Sequence, residues 1–472
     1  MKLVARSWWS LLVVALAVCL GASFRFGLFV PILATGLLLG GLGFLIPPWR
    51  PRLTAIVVGI TVANAASQLV PSVGGIEITS WAFLGLAVLG VAVRLSEDKR
   101  GHPVLTGVEW GSLAIVLAGG VALAVGATPP SAVSGLLRMS QHVMILLAIA
   151  SLKPTWSSVR LIVAGLLAGV GVQVIIGFTE LFRGATFFYG LWKPLEAASW
   201  NGILRVASTP ADPNYFALSL VGTLPILLAL PGLWQRTSGP VVQAAAAAWF
   251  LLICFTFSRA GYIGLLVLLV VELLSKRSDR RWPGLLPALL VGATVVLLFS
   301  DNLGSFGGRL LTLANTQGDA SVAMRLAAQR AAIDVFLSHP LFGIGFDRFV
   351  QVGPSYVYAS TGLVVQELNV LDSFLLTASE GGMFALAGLL FATIWSIVHL
   401  FRPCLPQSAD SVAKRRVFLS VGTSLVVWSV VSLTLDGIHD PILWVLFGLT
   451  ALLTRWTYQQ TASDWILNEP SE

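Results

Sequence analysis

The stretch VVQAAAAAWFLLICFTFSRAGYIGLLVLLVV, residues 241–271, carries a single charged residue, Arg259, within a long run of apolar side chains. Hydropathy predicts membrane-crossing helices on both sides of this residue, at about 240–258 and 259–275. A guanidinium group stays charged, so placing it in hydrocarbon costs a few kcal/mol. We therefore predict a tight turn between two apolar helices, with Arg259 at the turn and not at the centre of the bilayer.

The composition of the whole chain extends this prediction. Of its 472 residues, 56% are hydrophobic and 11% are charged, whereas soluble domains carry about 25% charged residues. Windows of about 20 apolar residues recur along the chain, and a transmembrane β-barrel would instead show weak alternating segments. The sequence therefore predicts an all-α polytopic membrane protein, organised as a single transmembrane domain over residues 1–472.

Cysteine, histidine and charge content indicate no cofactor. The three cysteines lie in or near different predicted spans, which indicates no disulfide framework. The five histidines show no metal-ligand spacing, so we expect no bound metal. The net charge of +7 indicates contact between cytoplasmic basic clusters and anionic lipid, not binding of nucleic acid.

Hydropathy predicts about fourteen transmembrane helices, with about twelve as the lower bound. The predicted spans are 8–24, 27–46, 53–70, 78–95, 107–127, 133–151, 158–180, 213–232, 240–258, 259–275, 283–300, 379–401, 417–435 and 441–456. Lysine and arginine fall at alternate ends of successive spans, which assigns those ends to the cytoplasm. These residues are Lys2, Arg6, Arg50, Arg52, Arg94, Lys99, Arg100, Lys153, Arg160, Arg236, Lys276, Arg277, Arg280, Arg281, Arg402, Lys414, Arg415, Arg416 and Arg455. Both termini are then cytoplasmic.

Two long loops, 181–212 and 301–378, lie on the outer side in this topology. Within the second, residues 321–338 are predicted to form an amphipathic helix, because apolar residues recur at helical steps. These residues are Met324, Ala328, Ala331, Ala332 and Val335. His339 and Pro340 end the predicted helix. A long loop that contains its own helix is commonly functional, so we place any chemistry at the outer end of the bundle.

Basic residues gather on this outer side. They are Arg183, Lys193, Arg205, Arg259, Arg309, Arg325, Arg330 and Arg348. The planar guanidinium group binds phosphoryl oxygens through paired hydrogen bonds, which suits a diphosphate. Arg259 and Arg325 are the strongest candidates for this role, whereas Arg330 could instead pair with Asp334 one helical turn later.

Polar residues in the outer loops form a second group of candidates. Asp212 is expected to cap the helix that Pro213 begins, and Asn214 lies one position inside that helix. In the last outer loop, His439 could serve as a base or have a structural role.

Three carboxylates lie where the large loop returns to the membrane: Glu367, Asp372 and Glu380. Asp372 and Glu380 share a helix face if this segment is helical. Burial near an apolar interface would raise the pKa of Asp372 or Glu380 and allow it to accept a proton. Asp372 could equally be the cap of the returning helix.

The order of motifs along the chain adds a family resemblance. The motifs are TPADPNYFAL (209–218), FSRAGY (257–262), RLAAQR (325–330), HPLFGIG (339–345) and DSFLLTASEGG (372–382). Together they resemble the O-antigen ligase/polymerase superfamily (Wzy/WaaL type) of membrane glycosyltransferases over about residues 200–400. The resemblance implies a GT-C-like fold in the bacterial inner membrane.

The resemblance also implies a reaction. An oligosaccharide is transferred outside the cytoplasm from a polyprenyl diphosphate carrier to a sugar hydroxyl, without metal or nucleotide. Arg259 and Arg325 match the family arginines that bind the donor diphosphate and stabilise the leaving group. The implied partners are the lipid-linked donor, the glycan acceptor and the bilayer, with a chain-length regulator as a further partner.

We expect Asp372, or secondarily Glu367, to deprotonate or orient the acceptor hydroxyl. Polar contacts to the substrate are expected from Asn214, Arg205, Arg330, Glu380 and His439.

Two departures from the family pattern bear on the reaction type. Ligases typically carry His-Asn where this chain has Leu371 and Asp372, and the usual tryptophan after the helix arginine is replaced by Gln329. These departures favour a polymerase of O-antigen, capsule or exopolysaccharide, with a ligase as the alternative. A transporter, either a flippase for lipid-linked oligosaccharide or a small-anion carrier, is the alternative of another class. The near absence of charge from most spans argues against a flippase.

Overall fold

The computed structural model describes most of the chain from residue 50 to residue 467. The described ranges are 50–64, 105–125, 130–188, 191–194, 203–234, 238–274, 320–361, 370–402 and 409–467. Short pieces at 72–73, 76–77, 83, 86–87, 90–91 and 199–200 are also described.

Most of the described residues are helical, as the composition predicts. The helices are α1 Arg50–Ala63, α2 Gly107–Val125, α3 Pro130–Ala150, α4 Trp156–Arg183, α5 Pro213–Leu228, α6 Leu230–Leu233, α7 Gly239–Phe255, α8 Arg259–Leu274, α9 Ala320–Ser338, α10 Phe349–Thr361, α11 Ser373–Phe401, α12 Ala409–Val431 and α13 Pro441–Leu467. Short antiparallel hairpins pair β1 Ser72–Val73 with β2 Ile76–Glu77, β3 Ala185–Phe188 with β4 Leu191–Pro194, and β5 Ser199–Trp200 with β6 Ile203–Leu204. The hairpins β3–β4 and β5–β6 lie in the predicted outer loop 181–212, where hydropathy alone does not reveal them.

Several of these helices can span a membrane. Within the described ranges, the helices long and apolar enough to do so are Gly107–Val125, Ala132–Ala150, Trp156–Arg183 and Ser373–Phe401. Shorter apolar helices lie at Pro213–Leu228, Gly239–Phe255 and Arg259–Val271. The chain is therefore an integral membrane protein. The total of about fourteen spans stays a prediction, because the predicted spans 8–24, 27–46 and 283–300 and most of 78–95 lie outside the described residues.

One end of the helix bundle collects basic residues that the charge pattern assigns to a common side. Arg50 at the start of α1 donates from Nη2 to the backbone oxygen of Ser151, at 3.0 Å. Arg455, in the middle of α13, donates to the backbone oxygen of Ala150. The ammonium group of Lys414 lies 5.2 Å from the ring centroid of Trp456. These contacts agree with the predicted grouping of basic residues at one end.

Helices α2 and α11 pack closely because each presents a glycine at the contact. A Cβ atom added to Gly111 would lie 2.6 Å from the backbone oxygen of Gly388, and the reverse substitution gives the same distance. Small residues let helix backbones approach each other in membranes, where van der Waals packing drives association. This contact fixes the position of α11. Two of the candidate residues, Asp372 and Glu380, lie near the start of this helix.

Helix α11 is interrupted at Gly382, whose φ of 70° and ψ of −170° are not helical. The loop after α9 docks onto this interruption through backbone hydrogen bonds. Ile344 N donates to Ser379 O at 3.1 Å, and Gly345 N donates to Glu380 O at 2.8 Å. On the far side of the break, Met383 N donates to Pro340 O at 2.8 Å. The segment 340–345 is therefore part of the bundle end and not a free loop.

The helix predicted at 321–338 is present as α9, and its apolar pattern needs one correction. Its buried face contains Ala328, Ala331, Ala332 and Val335, as predicted. Met324 was expected on that face but is 44% exposed. The opposite face is also apolar, with Leu326, Ile333 and Leu337 exposed, so helical periodicity alone could not tell which face packs inward. The start of α11 also differs from the prediction, since the helix begins at Ser373 and not at 379.

Candidate functional site

The turn between α7 and α8 places Arg259 as the sequence predicts. Helix α7 ends at Phe255, and Phe257 adopts a left-handed conformation with a φ of 50°. Ser258 Oγ accepts a hydrogen bond from Gly261 N at 3.3 Å, which caps the start of α8. Arg259 is then the first residue of α8 and is half-buried. Its positive charge adds to the positive end of the helix dipole, an arrangement that favours a bound anion.

The start of α5 lies against this turn. Asp212 Oδ1 accepts hydrogen bonds from Asn214 N at 2.6 Å and from Tyr215 N at 3.4 Å, so the predicted cap is confirmed. Ser258 Oγ donates to Asn214 Oδ1 at 2.9 Å. The Asn214 side chain therefore joins the starts of two helices, and both helix dipoles present their positive ends there.

Arg205 completes this polar group. Its Nε atom donates to Thr256 O at 3.0 Å, and its Nη2 atom lies 3.5 Å from Asn214 Oδ1. The neighbouring Val206 N donates to Phe255 O at 3.1 Å. The structure thus brings together Arg205, Asn214 and the Ser258–Arg259 pair, which we call the arginine cluster.

A buried glutamate holds the segment that carries Arg205. Glu180, near the end of α4, accepts hydrogen bonds from Phe187 N at 2.6 Å and from Ala207 N and Ser208 N at 2.9 Å. Sequence reasoning did not select Glu180 because it lies at the end of a predicted span. The available signal was an acidic residue in an otherwise apolar stretch.

Helix α9 carries Arg325 and Arg330 on different sides. Arg325 is half-buried, whereas Arg330 is exposed. Helix α9 packs against α10 and α11, and α8 packs against α5, α7 and α12. Arg325 and Arg259 therefore lie on separate helices, and their joint action on one diphosphate stays a prediction.

Asp372 caps α11, which confirms the structural interpretation of this residue. Its Oδ1 atom accepts hydrogen bonds from Phe374 N at 2.9 Å and Leu375 N at 3.0 Å. The side chain is buried, and this burial raises the pKa of its carboxyl above the ordinary value. The two amide hydrogen bonds oppose the rise, and the negative charge of Asp436 adds to it. Both capping bonds go to Oδ1, so capping does not occupy Oδ2.

Glu380 has a structural partner in the docked loop. Its Oε1 atom accepts a hydrogen bond from Phe349 N at 2.9 Å, and the side chain is 2% exposed. Glu380 therefore holds the start of α10 against the interruption in α11. The contact of Glu380 with substrate stays a prediction. The other glutamate of this region, Glu367, lies outside the described residues.

His439 belongs to a second polar group. Its Nε2 atom lies 4.0 Å from Asp347 Oδ1, and Asp347 Oδ2 lies 3.3 Å from Arg138 Nη1. Sequence reasoning missed Arg138 because it falls inside the predicted span 133–151. The argument that singles out Arg259, a charge within an apolar run, applies to Arg138 as well.

The loop that carries His439 is fastened to the start of α11. Ser373 N donates to Ser432 O at 2.9 Å, and Gly437 N donates to Ser373 Oγ at 2.7 Å. In the same loop, burial raises the pKa of Asp436 and, together with the charge of Asp436, that of Asp440 to about 7. The Asp372 cap and the 436–440 loop therefore form one hydrogen-bonded unit.

Comparison with known proteins agrees with the motifs. Residues 244–367 match a family model described as O-Antigen ligase, and this range contains Arg259, Arg325 and Arg330. The comparison with curated proteins gave no match. The match covers less than half of the chain and supports the similarity to the O-antigen ligase/polymerase superfamily that the order of its motifs predicts.

Proposed function

We propose that this protein is an extracytoplasmic glycosyltransferase that polymerises oligosaccharide repeat units carried on a polyprenyl diphosphate, such as undecaprenyl diphosphate. The product would be O-antigen, capsule or exopolysaccharide, and the site would face away from the cytoplasm at the bacterial inner membrane. The observation that carries the proposal is the O-antigen ligase match over residues 244–367, which contains both Arg259 and Arg325. The geometry of the arginine cluster supports it.

The arginine cluster would bind the donor diphosphate. Arg205 and Arg259 supply positive charge, and the starts of α5 and α8 add their dipoles. Arg325, on α9, would approach the same diphosphate from a different helix. As the bond between the anomeric carbon and the phosphate oxygen breaks, negative charge develops on the leaving diphosphate. Cations positioned in advance stabilise that charge more in the transition state than in the ground state.

Asp372 would act as the base that removes the proton of the acceptor hydroxyl. The acceptor hydroxyl oxygen attacks the anomeric carbon, and its proton passes to Oδ2 of Asp372. A carboxylate with a raised pKa is a stronger base, and burial raises the pKa of Asp372. The proton therefore moves to Asp372, and the electron pair of the broken bond leaves with the diphosphate. Glu367 is the secondary candidate for the base.

Transfer to a lipid or protein acceptor is the second candidate function. It is favoured by the description of the matching family as a ligase. The polymerase is preferred because Leu371 and Asp372 stand where the His-Asn pair of ligases is expected.

The test uses the purified full-length protein with a lipid-linked repeat unit, in buffer that contains EDTA. A ladder of lengthening products indicates a polymerase, and transfer to an added lipid acceptor indicates a ligase. The absence of turnover, combined with uptake of the substrate by vesicles, would contradict the glycosyltransferase and indicate a transporter.

A further inference from the structure

Three segments far apart in the chain bring an arginine, an aspartate and a histidine together. Arg138 lies on α3, Asp347 follows the docked segment 340–345, and His439 precedes α13. Asp347 lies between the other two, 3.3 Å from Arg138 and 4.0 Å from His439. Their side chains are 49%, 21% and 23% exposed, in chain order, so a ligand can reach all three.

Two members of this group are placed unusually, Arg138 in an apolar helix and Asp347 in a left-handed backbone conformation. Arg138 lies within Ala132–Ala150, a helix apolar enough to cross a membrane, where a charged residue is expensive and usually functional. Asp347 has a φ of 59°, in the left-handed region, which residues other than glycine adopt uncommonly, although Asp and Asn adopt it more readily than most. Backbone strain of this kind is concentrated at binding and catalytic sites. Both unusual placements occur at one site.

Next to this group, the fold leaves buried polar atoms without hydrogen-bond partners within the described residues. Trp428 Nε1 and Ser432 Oγ belong to side chains that are 1% and 0% exposed, and His439 Nδ1 and Asp440 Oδ2 are also unpaired. Trp428 Nε1 and Ser432 Oγ face the loop, since a Cβ atom at Gly437 would lie 2.8 Å from each. Buried polar groups are nearly always satisfied, so such a concentration indicates a missing polar partner.

The chemistry of these atoms suits a sugar and not a phosphate. The accessible group offers guanidinium N–H donors beside carboxylate and imidazole acceptors, and a sugar hydroxyl can pair with both kinds. The carboxylate of Asp347 would repel a phosphate. The arginine cluster has the opposite character, because it combines two arginines with two positive helix ends.

We propose that Arg138, Asp347 and His439 form the subsite that binds the acceptor glycan. This inference rests on the proposed function, since it assigns the second substrate of the same transfer. Ser373 links the 436–440 loop to the start of α11, which Asp372 caps. A sugar that binds Asp347 and His439 therefore contacts the loop that is hydrogen-bonded to the helix start carrying the proposed base, Asp372. Donor diphosphate and acceptor sugar then bind to different residues at one bundle end.

A binding experiment that needs no turnover tests the subsite. The probe is the repeat-unit oligosaccharide, released by mild acid from the lipid-linked intermediate of the same cells and therefore free of diphosphate. Its dissociation constant is measured by isothermal titration against the full-length protein in detergent. The variants are Arg138→Gln and Asp347→Asn, because asparagine tolerates the left-handed backbone and retains the side-chain shape. The control is Arg52→Gln, at the exposed start of α1 on the basic end.

We expect Arg138→Gln and Asp347→Asn to weaken oligosaccharide binding at least about tenfold, the change produced by losing one charged hydrogen bond. Arg52→Gln should bind the oligosaccharide like the parent protein, and inorganic diphosphate should not displace the oligosaccharide. Equal binding by all variants, displacement by diphosphate, or no binding to the parent protein would overturn the subsite. A parent protein that binds the oligosaccharide but does not lengthen the lipid-linked repeat unit in the transfer assay would instead contradict the proposed function. Thermal unfolding of each variant shows whether it folds.

Discussion

Ser258 donates a hydrogen bond of 2.9 Å from Oγ to Oδ1 of Asn214 and so joins the start of α8 to the start of α5. The same hydroxyl oxygen accepts from Gly261 N and caps α8. One serine therefore ends the turn that presents Arg259 and fixes the position of the neighbouring helix. The positive ends of two helix dipoles meet there because of this contact.

Replacing Ser258 with alanine removes both the cap and the link to Asn214. We expect the free energy of unfolding to fall by about 1 kcal/mol, the usual value of a lost helix cap. The KM for the lipid-linked donor should rise, because Arg259 is no longer held beside α5. Thermal unfolding and donor titration measure the two effects. Ser157→Ala, at an exposed position of α4, is the matched control, and equal behaviour of the two variants would contradict this role.

Replacing Arg259 with alanine should abolish polymer while leaving the protein inserted in the membrane. The reason is that the charge developing on the leaving diphosphate loses a cation placed at a helix start. Arg259→Lys should retain part of the activity, since lysine keeps the charge but not the paired hydrogen bonds. Product length on gels and the amount of protein in membranes are the measurements. Polymer of normal chain length in Arg259→Ala would contradict the proposed role. Arg52→Ala is the control.

Replacing Glu180 with alanine should release the segment that carries Arg205. Three backbone N–H groups, of Phe187, Ala207 and Ser208, would lose their acceptor, at a cost of about 1–3 kcal/mol for each that stays buried. We expect a lower unfolding temperature and faster proteolysis within 185–208. Glu180→Gln keeps one side-chain oxygen and should show a smaller effect. Unchanged proteolysis in Glu180→Ala would show that the carboxylate does not hold this segment.

Replacing Gly382 with alanine should undock the loop after α9. The backbone at Gly382 has a φ of 70°, and an added Cβ would lie 2.2 Å from Leu341 O. The alanine therefore forces strain or displaces segment 340–345, which positions Asp347. We expect a marked loss of both thermal stability and activity. Gly120→Ala is the control, because nothing lies within 4 Å of its Cβ position and alanine favours a helix. Similar behaviour of the two variants would argue against the docking.

The contribution of Asp440 to stability should fall as the pH rises through the range in which Asp440 ionises. Burial, aided by the charge of Asp436, raises its pKa from 3.8 to about 7 in the folded protein. Between these values the folded state binds more protons than the unfolded state. The stabilising contribution is thus complete below the unfolded pKa and is lost as the pH approaches 7. The raised pKa values of Asp372 and Asp436 act in the same direction.

Asp440→Asn should flatten this pH dependence without removing the start of α13. Asparagine can accept the hydrogen bond from Ile442 N that Asp440 Oδ1 accepts at 2.9 Å, but it does not ionise. The unfolding temperature in detergent, measured from pH 4 to pH 8, is the readout. A slope equal to that of the parent protein would show that Asp440 does not titrate with folding.

Local features were predictable from sequence because their causes lie within a few residues. The cap at Asp212, the end of α9 before His339 and the turn before Arg259 all follow from side-chain and backbone preferences inside one helix or turn. The inward face of α9 was only partly predictable. Its two faces are both apolar, so the packing of α10 and α11 decides which one is buried, and Met324 was placed on the wrong side.

The sequence by itself determined the apolar helices, the grouping of basic residues at one end and the position of Arg259 at a turn. Hydropathy, charge and helix capping act along the chain, so no tertiary information was needed. Only the tertiary structure decided that Asn214 meets Ser258, that Glu180 holds the segment beside Arg205, and that Asp347 lies between Arg138 and His439. These contacts join residues far apart in the chain, and their energies depend on which helices pack together.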